Sequence, residues 1–148
     1  MSQILISEKT FEKARKLIRE NKENSIIFSS EDDDLNRKIL EKENISILLL
    51  NQKNRKDFTK QRNSGFDSVM AKIASKKKII VGINLDELIN QNIKEKAQII
   101  ARIKQNIDLC KKYKVNMKFL YQEHKRNNYD LRALGLTLGM PTWMTKNF

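Results

Sequence analysis

Two rhythms of apolar and polar residues alternate along the 148-residue chain. The first is a short run of consecutive apolar positions, seen at residues 4–6, 25–29, 45–50, 78–83 and 116–121. Stretches such as Ile47-Leu48-Leu49-Leu50 and Ile79-Ile80-Val81 leave no polar side for water. Strands of that kind belong to a parallel sheet covered on both faces. The second rhythm has helical spacing. Phe11, Ala14 and Ile18 follow Ser7, and Leu35 and Ile39 follow Ser30 and the acidic run Glu31, Asp32, Asp33 and Asp34. That run reads as a first helical turn whose carboxylates favour the dipole, ahead of a metal site. Asn84 with Glu87, and Asn92 with Glu95, have the cap-to-N3 spacing of a capping box and start two further helices. In the second of these, Ile93, Ala97, Ile100, Ile103, Ile107 and Cys110 form one apolar stripe, which leaves Lys94, Arg102 and Lys112 on other faces. Five strand–helix units in succession predict an α/β domain, and the pattern leaves a doubly wound sheet and a barrel-like one equally open.

Length and composition narrow the class. A chain of this size, 39% hydrophobic with only 4 Gly and 1 Pro, builds one compact domain of regular elements. Its formal charge of +12 would be self-repulsive without an anionic counterpart, and phosphate is the natural one. The charge is also uneven. Residues 1–50 hold 9 basic and 10 acidic side chains, whereas residues 53–78 hold 9 and 2 and residues 92–128 hold 10 and 3. A peripheral membrane protein would show a Lys-rich amphipathic helix with exposed Trp or Phe, or a lipidation signal, and neither is seen. The start, Met1-Ser2-Gln3-Ile4, has no basic and apolar leader, and no apolar stretch approaches a membrane span, so a cytoplasmic protein is expected. The single Cys110 and the single His124 supply neither a disulfide nor a zinc site, and Cys110 reads as a small core residue.

The most informative segment is residues 51–65. It follows a strand and leads into a helix marked by Phe66, Val69, Met70 and Ile73, which places it at the carboxyl end of a parallel sheet, where ligands bind. Its Arg and Lys side chains suit phosphates, its Asn and Gln suit base edges or 2′-hydroxyls, and Gly65 allows close backbone approach. Composition alone weighs an RNA-binding loop and a solvated basic loop evenly.

The ordered motifs are more specific. Arg55-Lys56-Asp57, then Arg62-Asn63-Ser64-Gly65, then Val69-Met70-Ala71-Lys72-Ile73-Ala74 resemble the central signature of the ribonuclease P protein component 3 family, approximately R-K-D, R-N-S-G and N-H-V-L-A-K-L-A. Asp108-Leu109-Cys110-Lys111-Lys112-Tyr113-Lys114-Val115 resembles a helix end of that family, and Arg126, Asp130, Ala133-Leu134-Gly135 and Leu138-Gly139-Met140 resemble its ending. Ser68 stands where the family commonly has His, and Asn128 where it usually has Pro. The likeness spans about residues 45 to 140 and is loose over residues 1–44. Family members are longer.

The resemblance implies one α/β domain over residues 1–148, barrel-like and related to the TIM barrel, with mostly parallel strands and outer helices, and it leaves open whether the barrel is complete or incomplete. It implies a non-catalytic archaeal subunit that helps the catalytic RNA remove the 5′ leader from precursor tRNA. The implied partners are ribonuclease P RNA, precursor tRNA, and ribonuclease P protein component 2 with other holoenzyme proteins. The RNA positions the magnesium ions, and the protein binds no cofactor or metal. Lys53, Arg55, Lys56, Lys60, Arg62 and Lys72 are then expected to contact phosphates, with Asn63, Ser64 and Gly65 shaping the loop and Arg126 and Arg132 next in order. Lys76-Lys77-Lys78 reads as an ordinary solvated turn, and Met140, Trp143 and Met144 as core ahead of a partner contact. Two other classes compete. A general RNA-binding or ribosome-associated protein would bind RNA without preference for ribonuclease P RNA. A metal-dependent phosphoesterase on a related barrel needs several His and Asp ligands at strand ends, against the one histidine present.

Overall fold

The computed structural model describes residues 2–146 and 148. Among these residues five strands and seven helices follow in the order β1 (Gln3–Ile6), α1 (Phe11–Glu20), β2 (Ser25–Phe28), α2 (Asp33–Lys42), β3 (Ile47–Leu50), α3 (Ser68–Lys77), β4 (Ile80–Asn84), α4 (Leu85–Ile89), α5 (Ile93–Tyr113), β5 (Met117–Leu120), α6 (Asn128–Thr137) and α7 (Thr142–Thr145). All five predicted strands are present, each within two residues of its expected ends. They pair in parallel, in the sequential order β1-β2-β3-β4-β5. A doubly wound sheet reverses its strand order at a switch point, and this one never does. The arrangement is the singly wound one of a barrel, left open between β1 and β5.

Side chains alternate along each strand, so the sheet has two unequal faces. Ile6, Phe28, Leu48, Leu50, Val81, Ile83, Met117 and Phe119 join the apolar sides of the helices in the main core. Ile27, Ile47 and Leu49 form a second, smaller cluster with Ile80 and Leu120, built from strand residues alone. The expectation of cover on both faces is therefore corrected: the described helices pack on one face only. The inner residues are shielded by one another, and Gly82 makes room for this by letting Leu120 and Ile47 approach where a Cβ would sit within 3.0 Å of both. Towards β1 this shielding ends, and Leu5 is 46 % exposed.

The helix ends follow the polar chemistry of the sequence. Asp32 rather than Ser30 caps α2, its Oδ1 accepting the N–H groups of Asp34 and Leu35, and Asp33 and Asp34 occupy the first turn as the dipole reading of the acidic run expects. Asn84 and Asn92 cap α4 and α5 as their spacing predicts. The cap of α1 is Thr10 rather than Ser7. The predicted stripe on α5 is displaced: Ile99, Ile103, Ile107 and Cys110 are buried, but Ile93 is 87 % exposed and Ala97 is exposed, because the first turns run past the packed layer. Arg102, expected away from the core, is only 3 % exposed. Cys110 lies fully in the core and its burial pushes the thiol pKa up, so the thiolate is suppressed. Met140 and Met144 are core residues, and Trp143 packs at the core's margin.

Candidate nucleic-acid interface

Between Leu50 and Ser68 the chain forms neither helix nor strand, and this connection leaves β3 at the carboxyl end of the sheet. Seventeen residues without regular hydrogen bonding need another framework, and side chains from outside the loop supply it. Arg102, projecting from α5, donates from Nη1 to the Gln52 carbonyl at 2.9 Å, from Nη2 to the Arg55 carbonyl at 2.8 Å and from Nε to Asp57 Oδ1 at 2.9 Å. A planar guanidinium meets three acceptors at once because its donors lie in a fixed fork, and a lysine cannot copy this. Asp57 accepts in addition the Asn63 N–H at 2.9 Å and pairs with Arg62 at 3.2 Å. The Arg102 hydrogen bond, ahead of the Asn63 N–H and the charges of Arg102 and Arg62, outweighs partial burial and holds the Asp57 pKa below the ordinary carboxylate value.

Two further braces come from α2 and α4. Arg55 meets Asp33 side by side, Nη1 to Oδ2 at 2.8 Å and Nη2 to Oδ1 at 2.9 Å, while its Nε donates to the Asn51 carbonyl at 2.7 Å. The Gly65 backbone, at φ 74°, passes directly beneath this pair: a Cβ there would lie 2.6 Å from Arg55 Nη2 and 2.8 Å from Asp33 Oδ1. Only glycine fits both the left-handed conformation and the space. Glu87, the expected capping-box partner of Asn84, instead turns to the loop and accepts the N–H groups of Gln52 at 2.7 Å and Lys53 at 3.2 Å. Burial pushes its pKa up despite those two bonds and the nearby Arg55 and Lys53. Gln52 and Gln105 complete the frame by donating to the carbonyls of Ser64 and Arg62, both at 2.9 Å.

The predicted residues thus divide. Lys53, Lys56, Lys60 and Arg62 are exposed on one loop, and the ion pairs that brace it involve none of the three lysines. Arg55 has a side chain only 10 % exposed and bound to Asp33, so its expected role as a phosphate contact is replaced by an internal one. Asn63, Ser64 and Gly65 lie within the frame, Asn63 through its N–H to Asp57, Ser64 through its carbonyl to Gln52 and Gly65 beneath the Arg55–Asp33 pair. Lys72 stands elsewhere, on α3, its ammonium 5.7 Å from the Tyr113 ring centroid and sharing that ring with Lys112. Arg126 is exposed on the connection after β5, also at the carboxyl end of the sheet but two strands away from β3. Asp86 anchors that connection by accepting the N–H groups of Gln122, Glu123 and His124 and facing His124 Nδ1 at 3.0 Å. Burial alone would raise the Asp86 pKa, but these donors together hold it below the ordinary value. Arg132 reaches back to the carbonyls of Lys146 and Phe148. Lys77, read from the sequence as solvated, donates to the carbonyls of Leu40 and Glu43 at 2.7 and 2.8 Å and closes the end of α2. Arg102, Asp33 and Glu87 are the organising residues the sequence did not reveal. The one available signal was an arginine on a helix whose apolar stripe is flanked by Asn106, and it pointed equally to solvent.

Among the described residues no helix is long and apolar enough to cross a membrane, and no three His, Cys, Asp or Glu side chains gather as a metal-binding set. No family model matches the chain. Individual proteins do. It is 32% identical over 116 residues to ribonuclease P protein component 3 of Methanocaldococcus jannaschii, covering 76% of this chain and 47% of that protein. The corresponding protein of Thermococcus kodakarensis is 31% identical over 85 residues, which is 54% of this chain and 38% of the relative. The chain spans about half the length of the curated relatives it matches. Among solved structures, a chain in the cryo-EM structure of archaeal ribonuclease P with mature tRNA superposes with a TM-score of 0.81 at 27% identity, over 97% of this chain and 62% of that one.

Proposed function

Over the length it shares with those relatives the chain belongs to the ribonuclease P protein component 3 family, and from that premise we propose that it serves as a non-catalytic protein subunit of ribonuclease P. It assists the RNA component in the endonucleolytic removal of the 5′ leader from precursor tRNA, in the cytoplasm. The observation that carries this reading is the division within the loop at residues 51–65. Arg55 and Arg102 are spent on fixing the backbone and Arg62 pairs with Asp57, while Lys53, Lys56 and Lys60 are left facing outward on the braced loop. A pre-ordered cationic surface neutralises phosphates without the entropy of ordering a free loop, and it releases counterions from the RNA as it does so.

In this reading hydrolysis and the magnesium ions belong to the RNA, and the protein lowers the magnesium concentration at which the RNA holds its active fold. Ribonuclease P protein component 2 is the protein partner expected from the family, together with other holoenzyme proteins. Reconstitution tests the proposal. Precursor-tRNA cleavage by the RNA and the remaining proteins is measured with and without this chain across a magnesium titration. The chain is expected to lower the magnesium requirement, and Lys56→Ala with Lys60→Ala to reverse part of that gain. Identical titrations with and without the chain refute the subunit role. Equal affinity for ribonuclease P RNA and an unrelated structured RNA points to a general RNA-binding protein instead.

A further inference from the structure

The brace that fixes the loop also isolates a five-residue turn. Asp57 is held by Arg102 and accepts the Asn63 N–H, which closes the chain on itself around Phe58, Thr59, Lys60, Gln61 and Arg62. All five are exposed, and Phe58, the largest apolar residue of the loop beside the buried Phe66, is 58 % exposed. Its ring lies outside the core and is open to a partner, and what sets it apart from other exposed apolar residues is the braced turn that carries it and the hollow beside it. Its surroundings define that partner. Lys56 and Lys60 flank it in sequence, and a hollow of about 180 Å³ beside it is lined by Phe58, Gln61 and Asp34, together with three groups already engaged: Arg62 with Asp57, Arg37 with Asp67, and Asp67 as the cap of α3.

An aromatic face, exposed lysines beside it in the chain and an exposed carboxylate, Asp34, in the adjoining hollow match a single nucleotide. The ring stacks on a base, which every base permits; the cations take the flanking phosphates; and a carboxylate accepts N–H groups from the base edge. Carboxylates carry acceptors only, so they favour the base that offers two adjacent N–H donors, which is guanine through N1 and N2. A duplex keeps its bases stacked inside and offers neither face nor edge. We propose that Phe58 is the stacking platform for an unpaired guanine of the bound RNA, with Asp34 accepting from its Watson–Crick edge. The inference rests on the RNA-binding reading and goes beyond it by assigning the contact to a base rather than to phosphate.

The test uses the full chain and three RNA probes: a stem–loop with one unpaired guanosine, the same stem–loop with uridine there, and a duplex of equal length. Phe58→Ala and Phe58→Leu are expected to weaken guanosine stem–loop binding about 5- to 100-fold with the salt slope unchanged, to leave duplex binding within about 2-fold, and Phe58→Trp to restore it. The uridine probe is expected to bind less tightly than the guanosine probe to the natural chain and as tightly as it to Asp34→Asn. If both alanine and leucine variants bind the stem–loop like the natural chain while salt-sensitive RNA binding persists, the platform is refuted and the subunit reading stands. Equal binding of the guanosine and uridine probes overturns the guanine assignment. Absence of salt-sensitive RNA binding by the natural chain removes the subunit reading, and this one with it.

Discussion

Arg102 is the residue on which the candidate site turns. Its three donors satisfy two loop carbonyls and a carboxylate in a place where water has little access. Arg102→Met, which keeps the bulk, is expected to destabilise the fold by about 3 kcal/mol because the acceptors lose their partner while still buried. Urea denaturation measures the loss, and amide exchange at residues 52–63 is expected to accelerate more than exchange elsewhere. Arg102→Lys should recover little of either, since an ammonium cannot span the three acceptors. Gly65→Ala is expected to cost about 1–3 kcal/mol, read from the same denaturation curves, because a side chain at φ 74° would also force apart Arg55 and Asp33. Neither arginine advertised its role in the sequence. Arg55 and Arg62 look alike as members of a basic loop, and only the approach of α2 made one of them internal.

At the scale of elements, acid stability separates two kinds of carboxylate. Asp57 and Asp86 have folded-state pKa values below the ordinary 3.8, so each contributes stability that is present above that value and lost as pH falls through the lower, folded one. Glu87 behaves in the opposite sense. Its pKa is raised above 4.5, so its protonated form is favoured by folding, and the gain, complete below 4.5, disappears as pH rises through the raised value. Thermal melts against pH are therefore expected to show a small rise in stability as pH falls from neutrality towards 4.5, then a decline below 3.8. Glu87→Gln should remove the rise and Asp86→Asn should soften the decline. A monotonic fall from pH 7 in the natural chain would contradict the assignment. The caps were legible in advance at Asn84 and Asn92 because capping is a local geometry over three residues. That Glu87 would desert its cap for a loop 35 residues away was not.

For the molecule as a whole, the charge reading makes a quantitative claim. Replacing Lys53, Lys56 and Lys60 by Ala is expected to flatten the dependence of log RNA affinity on log salt by about one per lysine removed, with the melting temperature unchanged. Fluorescence anisotropy over a salt series checks it. The two faces of the sheet make another. Ile6→Ala on the helix-covered face should cost about 2–5 kcal/mol, whereas Leu5→Thr, one residue away on the inner face and 46 % exposed, should stay within about 0.5 kcal/mol in the isolated chain. The sequential strand order left both outer edges of the sheet unpaired, and the pattern of apolar runs could not foretell this. Consecutive apolar residues announce that both faces of a strand avoid water, but not whether helices or neighbouring strands do the shielding.

The amino-acid sequence determined by itself what depends on neighbours in the chain: five strands, the helices between them, the asparagine caps of α4 and α5, the long basic connection after β3, and the motifs that the family shares. The tertiary structure alone decided what depends on residues distant in the chain: which face of the sheet is covered, that Arg102 belongs inside, and that Arg55 braces the loop while the lysines face outward. The physical reason is range. Periodicity and capping are settled within a few residues, whereas a buried guanidinium is tolerated only where carbonyls and carboxylates from three other segments converge on it.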